Sequence, residues 1–427
     1  MKNKFYIKTY GCTANQNDSE IMVGILKNFN YKLTNEEDAD YIIINSCGVK
    51  SQSEEKIIHK IKALSSKNKK LILAGCLTKI NPERLKKAAP NFSAILDTKS
   101  IDKIGNILAR INSGEKQVIE ITNKVPDKPL LPKFSTNKTI DIIQISEGCS
   151  SNCSFCGTKL SRGDIKSYRP EIIRESLKES IGKGIKEIHL TSQDMSAYGK
   201  DIGTNLIELL NSITKIEGEF LIRIGMMNPL HFRKMEIKDL VKIFKHDKLF
   251  KFLHLCLQSG SNNVLDIMKR GYAVEDFVDY IKEFRKEIPE ITIWTDIIVG
   301  HPGEEEVDFN QTLDVIKKIR PDFVNVSSYG TRLGTKSSNM KQIPSEIKKE
   351  RTRKLSAVVK TLSFGNNKKW IGWKGEALVD EYKKEKGNYV ARNYTYKPII
   401  VKKDNIKIGD RIFVEIVDSE ETCLISK

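Results

Sequence analysis

Glu147-Gly148-Cys149-Ser150-Ser151-Asn152-Cys153-Ser154-Phe155-Cys156 is the part of the chain that most narrowly limits its chemistry. Its three cysteines stand at intervals of four and three residues, just after the apolar run Ile142, Ile143 and Ile145. Thiolate sulfur is a soft ligand that binds zinc or iron–sulfur clusters. The next histidine is His189, so no fourth ligand follows closely. Three cysteines on a four-iron cluster leave one iron open, whereas structural zinc uses four ligands. A zinc loop completed by a distant residue is the alternative.

The composition is that of a soluble globular protein with room for two or three domains. The chain has 427 residues, of which 39% are hydrophobic and 30% are charged. No stretch approaches 18 apolar residues, so we expect neither a signal peptide nor a membrane span. Eight cysteines in such a chain indicate a reducing cytoplasm, where thiols bind metal more often than they form disulfides.

The net charge of +17, from 72 basic and 55 acidic residues, favours a polyanionic partner. Nucleic acid is the first candidate for that partner. A biased genomic composition explains the same lysine excess equally well, so charge alone leaves both interpretations open.

Residues 1–112 alternate short apolar runs with amphipathic stretches, which predicts a small open α/β domain. The predicted strands are Phe5–Tyr10, Tyr41–Asn45 and Leu71–Ala74. The predicted helices are Ser19–Phe29, Ser51–Ala63 and Ile101–Ile111. Residues from about 112 to 138 are rich in proline and read as a linker.

One cysteine follows each strand of this domain: Cys12, Cys47 and Cys76. Because the carboxyl ends of parallel strands share one edge of a sheet, these three cysteines should converge in space. A single buried cysteine is usually a small apolar filler. Three at equivalent strand ends predict a second three-cysteine metal site.

From 135 to 364 a strand–helix alternation runs six times, which predicts an open, partial (β/α)6 barrel with its functional groups at the strand carboxyl ends. The candidate strands are Asp141–Ser146, Glu187–Ser192, Phe220–Gly225, Lys251–Gln258, Ile291–Val299 and Phe323–Ser328. The first cysteine stretch described above directly follows the first of these strands.

Phe155 completes the pattern Cys-x-x-x-Cys-x-aromatic-Cys, which resembles the loop of the radical S-adenosylmethionine enzymes. That resemblance implies a four-iron, four-sulfur cluster whose open iron binds S-adenosylmethionine and cleaves it to an adenosyl radical. Polar residues at the other strand ends are then candidates for contacts with this cofactor, together with Phe155: Gln193, Asp194, Gln258, Ser259 and Asp296. Helix caps and loop hydrogen bonds are the alternative roles for such residues. Arg162 and Arg270 could face the cofactor carboxylate or solvent.

Residues 366–427 change to short alternating runs separated by turns, which predicts a small β-barrel. The predicted strands are Gly375–Asp380, Asn388–Asn393, Pro398–Val401 and Arg411–Val417. Basic residues surround its tyrosines, in a pattern suited to phosphate contact and base stacking: Lys383, Lys384, Lys386, Arg392, Lys397, Lys402 and Lys403, with Tyr389, Tyr394 and Tyr396. A solvated basic surface is the alternative. Cys256 and Cys423 have no cysteine neighbours in sequence and are expected to be structural.

Taken together, the three parts resemble the methylthiotransferases over nearly the whole chain. The motifs that carry this likeness are Thr9-Tyr10-Gly11-Cys12, Ile44-Asn45-Ser46-Cys47-Gly48 and Ala74-Gly75-Cys76-Leu77, with the barrel in the place of a tRNA-binding TRAM domain. The stretch Leu190-Thr191-Ser192-Gln193-Asp194-Met195-Ser196-Ala197-Tyr198-Gly199 is similar to the archaeal and eukaryotic group, which acts on N6-threonylcarbamoyladenosine 37 of tRNA.

This resemblance implies two four-iron clusters, one on each cysteine triplet, and two molecules of S-adenosylmethionine per turnover. One molecule would methylate a sulfur held at the amino-terminal cluster, and the other would supply the radical that removes hydrogen from C2 of the adenine. An electron donor, protein or small molecule, is implied, and the sulfur donor is open. The alternatives are isopentenyl-adenosine in tRNA, a ribosomal-protein aspartate, or a non-catalytic metal-dependent RNA-binding module. Two incomplete ligand sets argue against the last, because structural sites are normally closed.

Overall fold

The computed structural model describes residues 3–427 apart from 49, 50, 68, 136, 386, 403 and 404. Among the residues that it describes, no helix is long and apolar enough to cross a membrane.

A six-stranded parallel sheet forms the amino-terminal domain. Its strands, in spatial order, are Lys32–Leu33, Lys4–Thr9, Tyr41–Ser46, Lys70–Gly75, Ala94–Leu96 and Val118–Glu120. The three longest were predicted within one residue at each end. Tyr41–Ser46 and Lys70–Gly75 are marked by apolar runs that are buried on both faces, whereas Lys4–Thr9 is buried mainly at Phe5. The short strands escaped prediction, since two or three residues are too few to show a period. The last strand lies beyond residue 112, so the sheet continues into the segment that the sequence presents as a linker.

The helices of this domain cover both faces of the sheet: Thr13–Asn28, Ser51–Ser65, Leu77–Ile80, Pro82–Ala88 and Ile104–Asn112. The first begins at Thr13 rather than at the predicted Ser19. Asn15, Asn17 and Asp18 in its early turns are buried although they are polar. Asn15 does not fit an amphipathic pattern because its Nδ2 donates to Asn45 Oδ1 and to the Ser46 carbonyl of the same domain. Asp18 does not fit because it pairs with Lys128 and Arg162, described below.

The central domain is the predicted partial barrel of six parallel strands, in two sets of three. One set is Leu221–Ile224, Glu187–Thr191 and Ile140–Gln144, and the other is Phe252–His254, Thr292–Val299 and Phe323–Ser328. Single parallel bridges, Ile222 with Leu249 and Met227 with Leu255, join the two sets. Its helices are Gly157–Arg162, Pro170–Gly182, Leu206–Ile213, Ile237–Phe244, Asn262–Ile267, Val274–Glu287, Glu306–Ile319 and Ser345–Lys368. The strand carboxyl ends therefore lie along one rim, as six β/α units require.

The carboxy-terminal domain is a closed five-stranded barrel. Its strands, in spatial order, are Lys374–Lys383, Asn388–Arg392, Pro398–Val401, Leu424–Ser426 and Arg411–Ser419. The alternation of buried and exposed residues predicted four of them, and the fifth is three residues long. A small apolar core fills the barrel, with Trp370 packed at its entrance.

Candidate functional site

The cysteine loop leaves the first strand of the partial barrel through a tight turn at Gly148. The backbone there has φ of +77°, and a Cβ would lie 2.0 Å from the carbonyl oxygen of Asp164, so only glycine fits. The side-chain oxygen Oε1 of Gln193 accepts a hydrogen bond from the Gly148 amide at 2.6 Å. The second strand of the barrel thus holds the loop that carries the cysteines.

The sulfurs of Cys149 and Cys153 each accept a hydrogen bond from a neighbouring residue. The Ser151 amide donates to Cys149 Sγ at 3.4 Å, and Arg270 Nη1 donates to Cys153 Sγ at 3.1 Å. Donors to sulfur stabilise thiolates and raise the reduction potential of a bound cluster. Arg270 is 5% exposed and also donates to Asn228 Oδ1 at 3.0 Å. The sequence left open whether Arg270 faces the cofactor carboxylate or solvent, and its burial excludes solvent.

Burial, followed by the nearby Asp194 carboxylate, raises the pKa of the Cys149 thiol to about 12. A thiol in this environment gives up its proton only to a compensating positive charge, and a metal ion or cluster supplies one. Three thiols in one loop, with donors directed at two of the sulfurs, fit an iron–sulfur cluster.

Asp194 and Phe155 line the same loop. Asp194 is 3% exposed; its Oδ1 accepts from the Ser196 hydroxyl and the Asn228 amide, while its Oδ2 lies 3.3 Å from His231 Nε2. The ring of Phe155 meets His301 edge-on, with 6.0 Å between ring centres. Asp194 is thus fixed by residues that follow the second and third strands of the barrel, and Phe155 packs on His301, which follows the fifth.

Asp296 belongs to a compact polar group on the inner wall of the barrel. His254 Nε2 lies 2.7 Å from its Oδ2, the Cys256 thiol donates to the same oxygen at 3.0 Å, and Asn325 Nδ2 donates to Oδ1 at 2.7 Å. Burial alone raises the pKa of Asp296, but these hydrogen bonds outweigh it and hold the pKa at about 2. The carboxylate is therefore ionised. The ligand atoms of His254, Cys256 and Asp296 lie within 4.8 Å of one another, although the three groups already satisfy each other by hydrogen bonding.

Gln258 and Ser259 have different positions. Gln258 adopts a left-handed backbone with φ of +70°, a conformation that non-glycine residues adopt at a cost of about 1–3 kcal/mol and that recurs at ligand sites. Its amide donates to the Asp296 carbonyl at 2.7 Å, so it is next to the polar group. Ser259 instead packs towards the outer helix, where its hydroxyl lies 3.5 Å from that of Thr312 and accepts from the Ser261 amide. Its contacts are those of a loop hydroxyl.

The structure brings together the three cysteines of the amino-terminal domain. Asn15 Oδ1 accepts from the Cys12 thiol at 3.4 Å and from the Cys76 thiol at 3.7 Å. A Cβ on Gly11 would lie 3.1 Å from the Cβ of Cys47. Cys47 and Cys76 are buried, and Cys12 is exposed. Three thiols around one rim of the sheet, with no disulfide between them, fit a second metal cluster.

The two cysteine triplets face each other across the contact between the first and second domains. A Cβ on Gly157, the residue after Cys156, would lie 3.5 Å from the carbonyl oxygen of Gly48, the residue after Cys47. The residues that follow Cys47 and Cys156 are therefore in contact, which brings one cysteine of each triplet to the same domain contact. This arrangement could pass a group from one site to the other.

Arg162 contacts neither solvent nor the inner wall of the barrel. It is 1% exposed and forms ion pairs with Asp18 at 2.8 Å and Glu147 at 2.8 Å. Lys128 completes the set with contacts of 2.6 Å to Asp18 and 2.9 Å to Glu147. Sequence reasoning missed this role for Glu147 and Lys128, because Glu147 stands at the start of the cysteine stretch, where the cysteines carry the signal, and Lys128 stands in a proline-rich segment.

The sequence predicts an exposed basic surface on the carboxy-terminal barrel, but only some of its basic residues and tyrosines are exposed. Tyr396 is 6% exposed, and its hydroxyl lies 3.1 Å from His189 Nε2 of the partial barrel. Arg392 stacks over the Tyr396 ring, and Lys397 forms an ion pair with Asp322 at 2.6 Å. Tyr396 and Lys397 are interdomain contacts, because the loop at 393–397 packs against the partial barrel. Arg392 instead pairs with Asp380 of its own domain at 2.9 Å.

Other basic residues of the barrel are at the surface: Lys383, Lys384 and Lys402. Tyr394 is 37% exposed and lies against Trp370 and Trp373, while Tyr389 is half-buried against Tyr382. Lys386 and Lys403 are outside the described residues. The surface available for nucleic acid is thus smaller than the composition indicated.

Comparisons with known proteins agree with this architecture. The profile of the uncharacterized protein family UPF0004 matches residues 4–97, and that of the radical SAM superfamily matches residues 143–316. A protein of Pyrococcus abyssi named "Probable threonylcarbamoyladenosine tRNA methylthiotransferase" is 41% identical over 427 residues, covering 99% of both chains. The human threonylcarbamoyladenosine tRNA methylthiotransferase is 36% identical over 429 residues, covering 97% of this chain and 72% of the human protein.

Solved structures share the fold at much lower identity. A radical S-adenosylmethionine methyltransferase from Kitasatospora setae superposes with a TM-score of 0.57 at 12% identity, over 79% of this chain and 75% of that one. A cobalamin-dependent radical enzyme gives a TM-score of 0.52 at 13% identity, over 83% of this chain and 55% of that one. These likenesses concern the fold alone.

Proposed function

Since this chain belongs to the threonylcarbamoyladenosine tRNA methylthiotransferase family, we propose that it transfers a methylthio group to C2 of N6-threonylcarbamoyladenosine 37 in tRNA. The observation that carries the proposal is the opposition of two incomplete cysteine triplets across one domain contact, with Gly48 and Gly157 side by side. A transfer of sulfur to an unactivated ring carbon needs both a radical and a sulfur source within reach of the same base.

We assign one four-iron cluster to Cys149, Cys153 and Cys156 and a second to Cys12, Cys47 and Cys76. When bound, the first with S-adenosylmethionine would supply the radical that removes hydrogen from C2, and the second would supply the sulfur, methylated by another S-adenosylmethionine. The chain's own residues orient these sites. Gln193 fixes the turn before Cys149, and Arg270 donates to Cys153. Asn15 spans Cys12 and Cys76.

We assign contacts with S-adenosylmethionine to Asp194, Gln258, Asp296 and Phe155, which lie on or directly after strands of the partial barrel or in its cysteine loop. The ionised Asp296 can accept hydrogen bonds from the cofactor or from the adenine of the substrate. A contact of Ser259 with the cofactor is less well supported, because its hydroxyl already accepts from the Ser261 amide and lies next to the Thr312 hydroxyl.

The substrate assignment to N6-threonylcarbamoyladenosine rests on the names of the full-length relatives, which favour it over isopentenyl-adenosine and over a protein aspartate. The exposed lysines of the carboxy-terminal barrel support tRNA as the macromolecule, since phosphate contacts need accessible cations. We place this reaction in the cytoplasm, with an electron donor and a sulfur donor still to be identified.

Mass spectrometry of tRNA nucleosides from cells with and without this gene tests the proposal. We expect the 2-methylthio form of N6-threonylcarbamoyladenosine to disappear without the gene and the unmodified nucleoside to accumulate. Complementation with the wild-type chain should restore the product, whereas Cys149→Ala should not. An unchanged content of the 2-methylthio nucleoside in the deletion strain would contradict the proposal.

A further inference from the structure

Four charged side chains are buried together between the two cysteine triplets, and we call Asp18, Lys128, Glu147 and Arg162 the buried ion quartet. Their side chains are at most 1% exposed, and the four ion pairs among them measure 2.6–2.9 Å. Two positive and two negative charges leave the quartet neutral. Although burial alone would raise the pKa of Glu147, Arg162 and Lys128 lower it to about 2, so this carboxylate is charged.

Three of its members are tied by the backbone to the predicted ligands. Glu147 precedes Cys149 by two residues, and Arg162 ends the helix that begins after Cys156. Asp18 lies in the helix that begins after Cys12, one turn beyond Asn15. A buried ion pair is weak evidence for stability, because desolvation offsets most of the attraction. The position of this quartet therefore needs another explanation.

Arg162 extends from the quartet to the amino-terminal cysteine site. Its Nη2 lies 3.4 Å from Asn15 Oδ1, the oxygen that accepts from the thiols of Cys12 and Cys76. Burial alone would lower the pKa of Arg162, but the carboxylates of Glu147 and Asp18, and then the Cys76 and Cys12 sulfurs, raise it well above its usual value. The guanidinium is thus a permanent cation, supplied by the second domain to the cysteine site of the first.

We infer that Arg162 is a positioning residue for the amino-terminal cluster, orienting Asn15 and setting, with Asp18, the charge that this cluster experiences. The inference rests on the cluster assignment in the proposed function. A cluster held by three thiolates gains one negative charge when it is reduced. A nearby cation stabilises the reduced form and a nearby anion destabilises it, because net charge and hydrogen bonds to sulfur set cluster potentials.

An EPR-monitored redox titration tests this inference on the full-length chain carrying Cys149→Ala, Cys153→Ala and Cys156→Ala, which retains only the amino-terminal cluster. Arg162→Gln should make the cluster harder to reduce, and Asp18→Asn should make it easier. We expect the ratio of reduced to oxidised cluster at a fixed potential to change about tenfold in opposite directions, equivalent to about 59 mV for one electron. In the double variant this ratio should return towards that of the parent, and Arg162→Lys should change the ratio least.

Arg392→Gln is the matched control, because it breaks a different, largely buried ion pair in the carboxy-terminal barrel, in which Arg392 Nε lies 2.9 Å from Asp380 Oδ2. It should leave the potential unchanged. Shifts of the same sign in Arg162→Gln and Asp18→Asn, or no shift with full iron content, would overturn the inference and leave the proposed function standing. If Arg162→Gln loses its iron, the direction of the shift in Asp18→Asn decides, together with whether Arg162→Lys stays close to the parent. A parent that binds no iron at Cys12, Cys47 and Cys76 would overturn the proposed function as well.

Discussion

Single residues around the cysteine loop are held by one or two specific hydrogen bonds. His301 is an example: Ser154 Oγ lies 3.3 Å from its Nε2, and the Pro302 carbonyl lies 2.9 Å from its Nδ1. A neutral ring satisfies both contacts, with the Nδ1 proton donated to the carbonyl and Nε2 accepting from the serine hydroxyl. Burial lowers the pKa of His301 to about 4, which keeps the ring neutral.

The free energy of unfolding should therefore fall as the pH drops from about 6.5 to about 4. The unfolded chain takes up a proton at His301 near pH 6.5, whereas the folded chain resists until about pH 4, so acid favours unfolding. The loss should reach about 3 kcal/mol. Urea denaturation of metal-free protein at several pH values measures it. His301→Phe should flatten this part of the profile; an identical profile in the variant would contradict the assignment.

Two helices and one loop form the contacts between the domains. The helices Thr13–Asn28 and Gly157–Arg162 each start directly after a cysteine, and each sends polar side chains into the same buried contact. At the other end of the partial barrel, the loop at 393–397 places Tyr396 among Phe250, Phe252 and the guanidinium of Arg223. The ring closes the end of the partial barrel opposite the cysteine loop.

Tyr396→Ala should therefore lower the free energy of unfolding by about 3–5 kcal/mol, the range for removing a large buried aromatic side chain. Tyr394→Ala is the matched control two residues away, and its cost should be much smaller because that ring is 37% exposed. Thermal or chemical unfolding of the two variants compares them directly. Equal costs would show that burial of Tyr396 does not stabilise the contact between the domains.

At the scale of the whole molecule, the two proposed cluster sites lie on different domains of one chain, and the carboxy-terminal barrel contacts the central one. Reconstituted wild-type protein should hold about eight irons, as two four-iron clusters require. Replacing Cys149, Cys153 and Cys156 by alanine should halve the iron content and abolish release of deoxyadenosine. Replacing Cys12, Cys47 and Cys76 should halve the iron content but leave that release measurable. Iron analysis and chromatography give both quantities, and full iron retention in either variant would refute that site.

The surface charge leads to a separate prediction for tRNA binding. Replacing the exposed Lys383, Lys384 and Lys402 by glutamine should weaken binding and lower the slope of log Kd against log salt by about two to three, since each lost phosphate contact removes about 0.7–0.9. Filter binding across a salt series measures the slope. Lys178, Lys183 and Lys282 on the central domain provide a control with the same loss of charge. Equal slopes for both triple variants would show that the barrel does not bind the phosphates.

The sequence by itself determined the three-part architecture and the six cysteines proposed as ligands. Buried strands and regularly spaced cysteines are local patterns, and the parallel-sheet rule carries Cys12, Cys47 and Cys76 to one edge without further information. In the partial barrel the predicted strand Lys251–Gln258 is a strand only at Phe252–His254, whereas the other five were predicted to within two residues at each end, and the three long strands of the amino-terminal sheet to within one. The other strands of two or three residues were not predicted, because they owe their conformation to their neighbours in the sheet.

Only the tertiary structure decided which polar and basic residues are buried. Arg162, Tyr396 and Lys397 are polar or charged residues of the kind expected at a protein surface, yet each is buried between domains. The carboxylates that compensate Arg162 come from two segments, with Glu147 15 residues away and Asp18 144 residues away. Charge and aromaticity are properties of a residue, whereas desolvation depends on what packs against it. No local pattern encodes that packing.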